Sequence, residues 1–206
     1  MSNGIFISLD GVDGAGKSTQ CRLLGAWLRA QGRPVTLCHD PGGTALGQEL
    51  RNLLLHYRGS MSLMTEAMLF MASRAQLVAE VIRPALDAGH VVISDRFLLA
   101  TVVYQGHAGG LEPSQLWQVG LLATDGLEPD LTLVLDVPPE LAQTRRKPSA
   151  DRMESRGDAF FAKVRAGFVA EAQRRPDRLH VIDTTPAPEI VQERIRVACG
   201  LALGLK

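Results

Sequence analysis

The chain has 206 residues, 46% of them hydrophobic and 21% charged, which suits one substantial core and is short for two ordinary domains. Its 22 Lys and Arg balance 22 Asp and Glu, so no broad electrostatic footprint for nucleic acid or a membrane surface is expected, and any affinity for anions must come from a local site. The cysteines, Cys21, Cys38 and Cys199, are too few and too far apart for a disulfide framework or a zinc cluster. No apolar run has the length of a bilayer span, and the first residues lack the basic-then-apolar layout of a signal peptide. A cytoplasmic location with reduced thiols is the expectation.

Short apolar runs alternate with longer helical stretches. In chain order, a strand is expected over 5–9, then a helix over 16–31 with Leu23, Leu24, Trp27 and Leu28 on one face and Gly32 as its stop. A strand over 35–38 follows, then helices over 46–56 and 65–88, the second ended by Gly89. Strands over 91–93, 131–137 and 179–182 are separated by helices over 113–124 and 158–174, and a helix over 188–203 comes last. Strands apolar on both sides and separated by helices indicate a parallel sheet covered on both faces. Ligands of such sheets bind at the carboxyl ends of the strands, and the polar motifs of this chain fall there.

The segment Gly11, Val12, Asp13, Gly14, Ala15, Gly16, Lys17, Ser18 fits G-x-x-x-x-G-K-[ST] at every fixed position, between an expected strand and an expected helix. Glycines let backbone N–H groups turn inward to cradle phosphate oxygens. The next helix, which carries Lys17, Ser18 and Thr19, points its positive end at them. Lys17 suits the β- and γ-phosphates, and the Ser18 hydroxyl suits the Mg²⁺ that accompanies ATP. The motif gives a P-loop NTPase fold, three-layered α/β/α on a five-stranded parallel sheet. It names a nucleoside triphosphate and magnesium but not the acceptor.

Asp95 and Arg96 close the third strand. Asp95 is a candidate ligand for Mg²⁺, and Arg96 a candidate to neutralise charge on the transferring phosphoryl group; a plain helix cap is the alternative for Asp95. Phe70 and Arg74, four residues apart, share a helix face. They suit the stacking of a base and the grip of a phosphate, or simply a core aromatic and a solvated cation. Tyr104 and Gln105 carry a hydroxyl and an amide that suit a sugar and a base edge. Asp40, Pro41, Gly42, Gly43 and Thr44 read as a sharp turn into a helix. Arg145, Arg146, Lys147, Arg152 and Arg156 cluster at about 145–157 with Pro148, Ser149 and Gly157. This is either a solvated basic loop or a lid that closes over ATP, excludes water and brings one of its arginines to the phosphates.

Taken together, the phosphate loop, Pro41-Gly42-Gly43-Thr44, Leu69 to Gln76, Asp95-Arg96-Phe97 with Tyr104-Gln105-Gly106, and Pro129 to Pro139 resemble the thymidylate kinase family over nearly the whole chain. The resemblance implies one domain over 1–206 that moves the γ-phosphoryl group of ATP onto dTMP, giving ADP and dTDP for dTTP synthesis, usually as a homodimer. Asp13, Asp40, Phe70, Arg74, Arg96, Thr101, Tyr104 and Gln105 would then receive dTMP. Phe70 would stack on thymine, Arg74 and Arg96 would hold the phosphate, and Tyr104 would lie against the deoxyribose. Lys17, Arg96, Asp13, Arg146 and Arg152 would be catalytic. Some members carry a basic residue inside the phosphate loop and others in the lid; Gly14 and the arginine-rich stretch make this chain similar to the lid type. Met61, Met64, Met68 and Met71 at helical spacing suit a core stripe, or else a dimer interface.

The chain departs from the family pattern at Asp10, His39, Asp40, Phe97 and Ala100. His39 stands where the pattern has arginine, and Ala100 lacks a hydroxyl the pattern supplies. A weakened preference for dTMP over dUMP is expected from these changes. Two alternatives remain at this stage. One is another nucleoside monophosphate kinase with relaxed base selectivity. The other is a non-catalytic nucleotide-binding module, although the guanine-reading Asn-Lys-x-Asp segment of the common switch proteins does not occur.

Overall fold

A computed structural model describes residues 4–145 and 156–204. Its centre is a sheet of β1 (Ile5–Gly11), β2 (Val35–His39), β3 (Val91–Asp95), β4 (Leu131–Asp136) and β5 (Leu179–Asp183), in the order β2-β3-β1-β4-β5. All neighbouring pairs are parallel. β1 lies in the middle, with Ile7 opposite Ile93 on one side and Leu131 on the other.

Around it run α1 (Lys17–Ala30), α2 (Ala45–His56), α3 (Leu63–Leu77), α4 (Arg83–Asp87), α5 (Leu98–Thr101), α6 (Pro113–Ala123), α7 (Pro139–Arg145), α8 (Asp158–Arg174) and α9 (Pro188–Leu203). Side chains alternate across a strand, and β1 shows what that does here. Ile7 and Leu9 join Leu24 and Leu28 of α1, whereas Phe6 joins Met71 and Leu77 of α3. Helices on both faces explain why β1, β3 and β4 are buried almost throughout, and the expected three-layer architecture is what the chain adopts.

Three expectations need correction. The helix expected over 65–88 is not one regular α-helix: α3 gives way to a π-helical turn at Val78–Ile82 before α4. Pro84 explains the change, because it has no N–H to donate to the carbonyl four residues back. The methionines do not form a core stripe either. Met71 is 3% exposed, but Met64 and Met68 are 44% and 40% exposed. Finally, α7 was not foreseen; Arg145 is its last residue rather than part of a loop.

Candidate functional site

The phosphate loop is shaped by close backbone packing. Gly11, at φ 140, lies against β4 so tightly that a Cβ would stand 2.4 Å from the Leu135 carbonyl oxygen. Gly14, at φ 86, faces α7, where a Cβ would stand 2.3 Å from the Ala142 carbonyl oxygen. A basic side chain at position 14 is therefore excluded by the packing of α7. Gly16 caps α1 in the left-handed conformation and offers no side chain to the helix N–H groups. Those groups are left directed at a cavity of about 1090 Å³, lined by Asp13 through Arg22, by Asp95 and Arg96, and by Arg145 with Thr184–Pro188.

Lys17 is buried, and its Nζ donates to the Val12 carbonyl at 2.9 Å and lies 3.7 Å from Asp13 Oδ1. Burial lowers its pKa, the neighbouring Arg96 lowers it further, and Asp13 and Asp95 oppose them. Gly11 and Val12 lie behind the cavity rather than on its wall, their carbonyls taken by Arg96 and Lys17. Ser18 Oγ donates to Asp95 Oδ2 at 2.5 Å, so the two expected magnesium ligands stand side by side at the cavity edge. No group of three or more His, Cys, Asp or Glu side chains able to hold a metal occurs among the described residues. One carboxylate beside one hydroxyl fits Mg²⁺, which takes its remaining oxygens from water and substrate phosphates.

Arg96 joins the two halves of the site. Its Nη1 donates to the Gly11 carbonyl at 2.8 Å and its Nη2 to Asp13 Oδ1 at 2.5 Å, and its guanidinium lies 5.2 Å from the centre of the Tyr104 ring. Burial alone would lower its pKa, but Tyr104, Asp13 and Asp95 outweigh that and raise it. Its backbone is left-handed, with φ 69, which costs a residue bearing a Cβ on the order of 1–2 kcal/mol.

On the far side of Arg96 a cavity of about 190 Å³ opens, lined by Phe70, Arg74, Ala100, Thr101, Tyr104 and Gln105 together with Pro41 and Leu55. Asp13, Asp40, Arg51 and Arg96 line both cavities. Arg74 is 1% exposed and held from several sides: Nε donates to Asp40 Oδ2 at 2.5 Å and Nη2 to Thr101 Oγ1 at 2.9 Å. Burial pushes the Asp40 carboxyl above its ordinary value, against the pull of Arg74. Tyr104 and Gln105 reach the cavity from a π-helical turn at Val102–His107, which continues α5.

Of the arginine-rich stretch, Arg146 and Arg152 lie outside the described residues. Arg145 lines the large cavity, with its Nη1 donating to the Thr184 carbonyl at 2.8 Å. Arg156 does not line that cavity; its Nη2 donates to the carboxylate of Glu66 on α3. Sequence reasoning missed Arg51 and Glu66. Arg51, whose Nη1 donates to the Pro41 carbonyl at 3.0 Å, lies within the first two turns of α2, the helix that follows the Gly-Gly turn, and that proximity was its available signal. Glu66 reads as an ordinary acidic residue in the first turn of α3.

Asp10 is fully buried behind the loop, and burial pushes its carboxyl up to about 6 although Arg96 and Lys17 pull it down. Ser8 Oγ donates to its Oδ2 at 3.3 Å, and Oδ1 has no partner among the described residues. The folded chain therefore binds this proton near pH 6 and the unfolded chain near 3.8. Stability from Asp10 is complete below the unfolded value and is lost as pH rises through the folded one. Relative to wild type, Asp10→Asn is expected to gain stability on the order of 1 kcal/mol between about pH 5 and about pH 7.5. Parallel denaturant titrations at the two pH values measure this; a difference between the proteins that does not change with pH would refute it.

The sequence matches the thymidylate kinase family profile over residues 9–195. It is 50% identical over 192 residues to the thymidylate kinase of Rhodopirellula baltica, covering 93% of this chain and 78% of that protein. It is 46% identical over 193 residues to the thymidylate kinase of Bifidobacterium longum, covering 92% and 94%. The crystal structure of thymidylate kinase from Ehrlichia chaffeensis superposes with a TM-score of 0.77 at 32% identity, covering 94% of this chain and 97% of that one. A match of this extent takes in the phosphate loop, Arg96 and the Phe70 cavity together, and the chain belongs to the thymidylate kinase family.

Proposed function

We propose that the chain transfers the γ-phosphoryl group of ATP to dTMP, giving ADP and dTDP. The observation that carries this reading is the meeting of two cavities at Asp13, Asp40, Arg51 and Arg96, one built on the phosphate loop and the other on Phe70, Tyr104 and Gln105. In this reading the triphosphate lies along the N–H groups of residues 14–19. Lys17 meets its β- and γ-oxygens, and the nucleoside lies toward Arg145 and Thr184–Pro188. Ser18 and Asp95 hold Mg²⁺, which offsets the charge of the phosphates. Phe70 stacks on the base, Thr101 and Gln105 face its edge, and Tyr104 lies against the sugar. Arg74, fixed by Asp40, is a rigid cationic wall beside the acceptor. Arg96, tethered by Asp13, stands where the acceptor phosphate meets the γ-phosphoryl group and stabilises charge that develops between them.

Purified protein supplied with ATP, Mg²⁺ and one nucleoside monophosphate at a time tests the assignment. Rapid dTDP formation is expected, with dUMP the next best acceptor because Ala100, which lines the cavity, lacks the hydroxyl that the family pattern has at that position. Product mainly from another monophosphate would move the substrate, and no product from any would leave a binding role.

The assembly in this reading is a homodimer in the cytoplasm. Leu46, Leu53 and Tyr57 on or beside α2, and Met64 and Met68 on α3, are 39% to 50% exposed, and α2 and α3 pack together. No helix among the described residues is long and apolar enough to cross a membrane, and the three cysteines are free thiols. Met68→Glu is expected to convert the dimer to monomer in sedimentation velocity at micromolar concentration, since a desolvated carboxylate in an apolar interface is costly. An unchanged sedimentation coefficient would rule out this face.

A further inference from the structure

Behind the acceptor cavity, on α3, Glu66 is 1% exposed. Gln105 Nε2 donates to its Oε1 at 2.8 Å. From another direction Arg156 Nη2 reaches both carboxylate oxygens at 2.7 Å, and the Arg156 guanidinium lies 4.9 Å from the centre of the Phe160 ring. Glu66 does not line the cavity, whereas Gln105 does.

The chemistry of this contact has a direction. An amide has one donor end and one acceptor end of nearly equal shape, so packing alone does not decide which end faces a ligand. An ionised carboxylate only accepts. Paired with Arg156, Glu66 takes the nitrogen end of the Gln105 amide and leaves Oε1 as the other end. A buried carboxylate behind the wall thus sets the hydrogen-bonding polarity of the wall.

We propose that Glu66 is a positioning residue for base selection, holding Gln105 so that its carbonyl oxygen, and not its nitrogen, meets the pyrimidine edge. A wall that accepts favours a base that presents a ring N–H, as thymine and uracil do. It opposes cytosine, whose corresponding ring nitrogen is a bare acceptor. This rests on the reading of the cavity as the dTMP site. Glu66 touches no reacting atom and acts through Gln105.

Glu66→Gln tests the proposal, because an amide at position 66 presents either end and frees Gln105 to turn over. The ratio of kcat/KM for dTMP to that for dCMP is expected to fall on the order of tenfold, through better use of dCMP, with the KM for ATP unchanged. Direct titration with dCMP, without ATP, should show the same gain. The double variant Glu66→Gln with Gln105→Glu reverses the pair while keeping an acceptor oxygen toward the cavity, and is expected to return the ratio toward wild type. It carries the test alone should the single variant not fold. Arg156→Gln removes the ion pair but keeps the carboxylate, and is expected to lower the thermal midpoint and leave the ratio in place.

A wild-type ratio in Glu66→Gln, an unrecovered ratio in the double variant, or an equal loss of selectivity in Arg156→Gln would overturn the proposal, the last because mere loosening would then account for the effect. Failure of the underlying reading gives a different result: Gln105→Leu would leave dTMP binding unchanged.

Discussion

Lys17→Ala is expected to slow dTDP formation on the order of 10³-fold or more without lowering the thermal midpoint. The two halves of this expectation have separate causes. Phosphoryl transfer needs little covalent chemistry from the protein, so removing a fixed cation from the β- and γ-oxygens removes transition-state stabilisation directly. The fold, in contrast, gains little from the ammonium group. Lys17 is buried and lies beside Arg96, and both circumstances lower its pKa, which means the native state disfavours the charge it carries. Its hydrogen bond to the Val12 carbonyl offsets part of that cost. The removed chain also borders the large cavity, so water fills the space and no sealed void is left. Stopped assays at saturating ATP and dTMP, beside a thermal melt, measure both halves. A kcat within tenfold of wild type would overturn the phosphate-loop assignment.

Arg96→Ala and Arg96→Gly are expected to lose activity alike and differ in stability. Each removes the guanidinium that touches the Gly11 carbonyl and Asp13 and stands between the two cavities. A fall in kcat on the order of 10³-fold is expected for both, with a much smaller change in the KM for ATP. Glycine accepts the left-handed backbone at φ 69 without strain, whereas alanine does not. Arg96→Gly should therefore be more stable than Arg96→Ala by about 1 kcal/mol. An effect confined to ATP affinity would refute the acceptor-side role of Arg96. Equal stability of the two variants would refute the strain. The native protein keeps an arginine in a conformation suited to glycine because the strand end aims that side chain between the two cavities.

Much of the site was legible because its parts are local in the chain. The phosphate loop needs a strand, a glycine-rich turn and a helix in immediate succession, and nothing distant is required to recognise Lys17 and Ser18. Asp95 and Arg96 were legible because a parallel sheet delivers strand ends to one edge, and β1 and β3 are neighbours in register. The π-helical turns were not legible. The one before Pro84 had a visible cause in that proline, but hydrophobic periodicity does not separate a wide turn from a regular one. The turn at Val102–His107, which carries Tyr104 and Gln105, has no such marker.

The amino-acid sequence by itself determined the α/β class, the phosphate loop, and the pairing of Phe70 with Arg74 on one helix face, because period and motif are properties of short segments. Only the tertiary structure decided which charges meet. Asp40 lies on Arg74 across 34 residues, Arg96 on Asp13 across 83, and Arg156 on Glu66 across 90. It also decided that position 14 must be glycine, since Ala142 of α7 occupies the space a side chain would need. Contacts at such separations are set by the packing of helices on the sheet. That packing depends on every apolar face at once and leaves no mark at the individual charged residue.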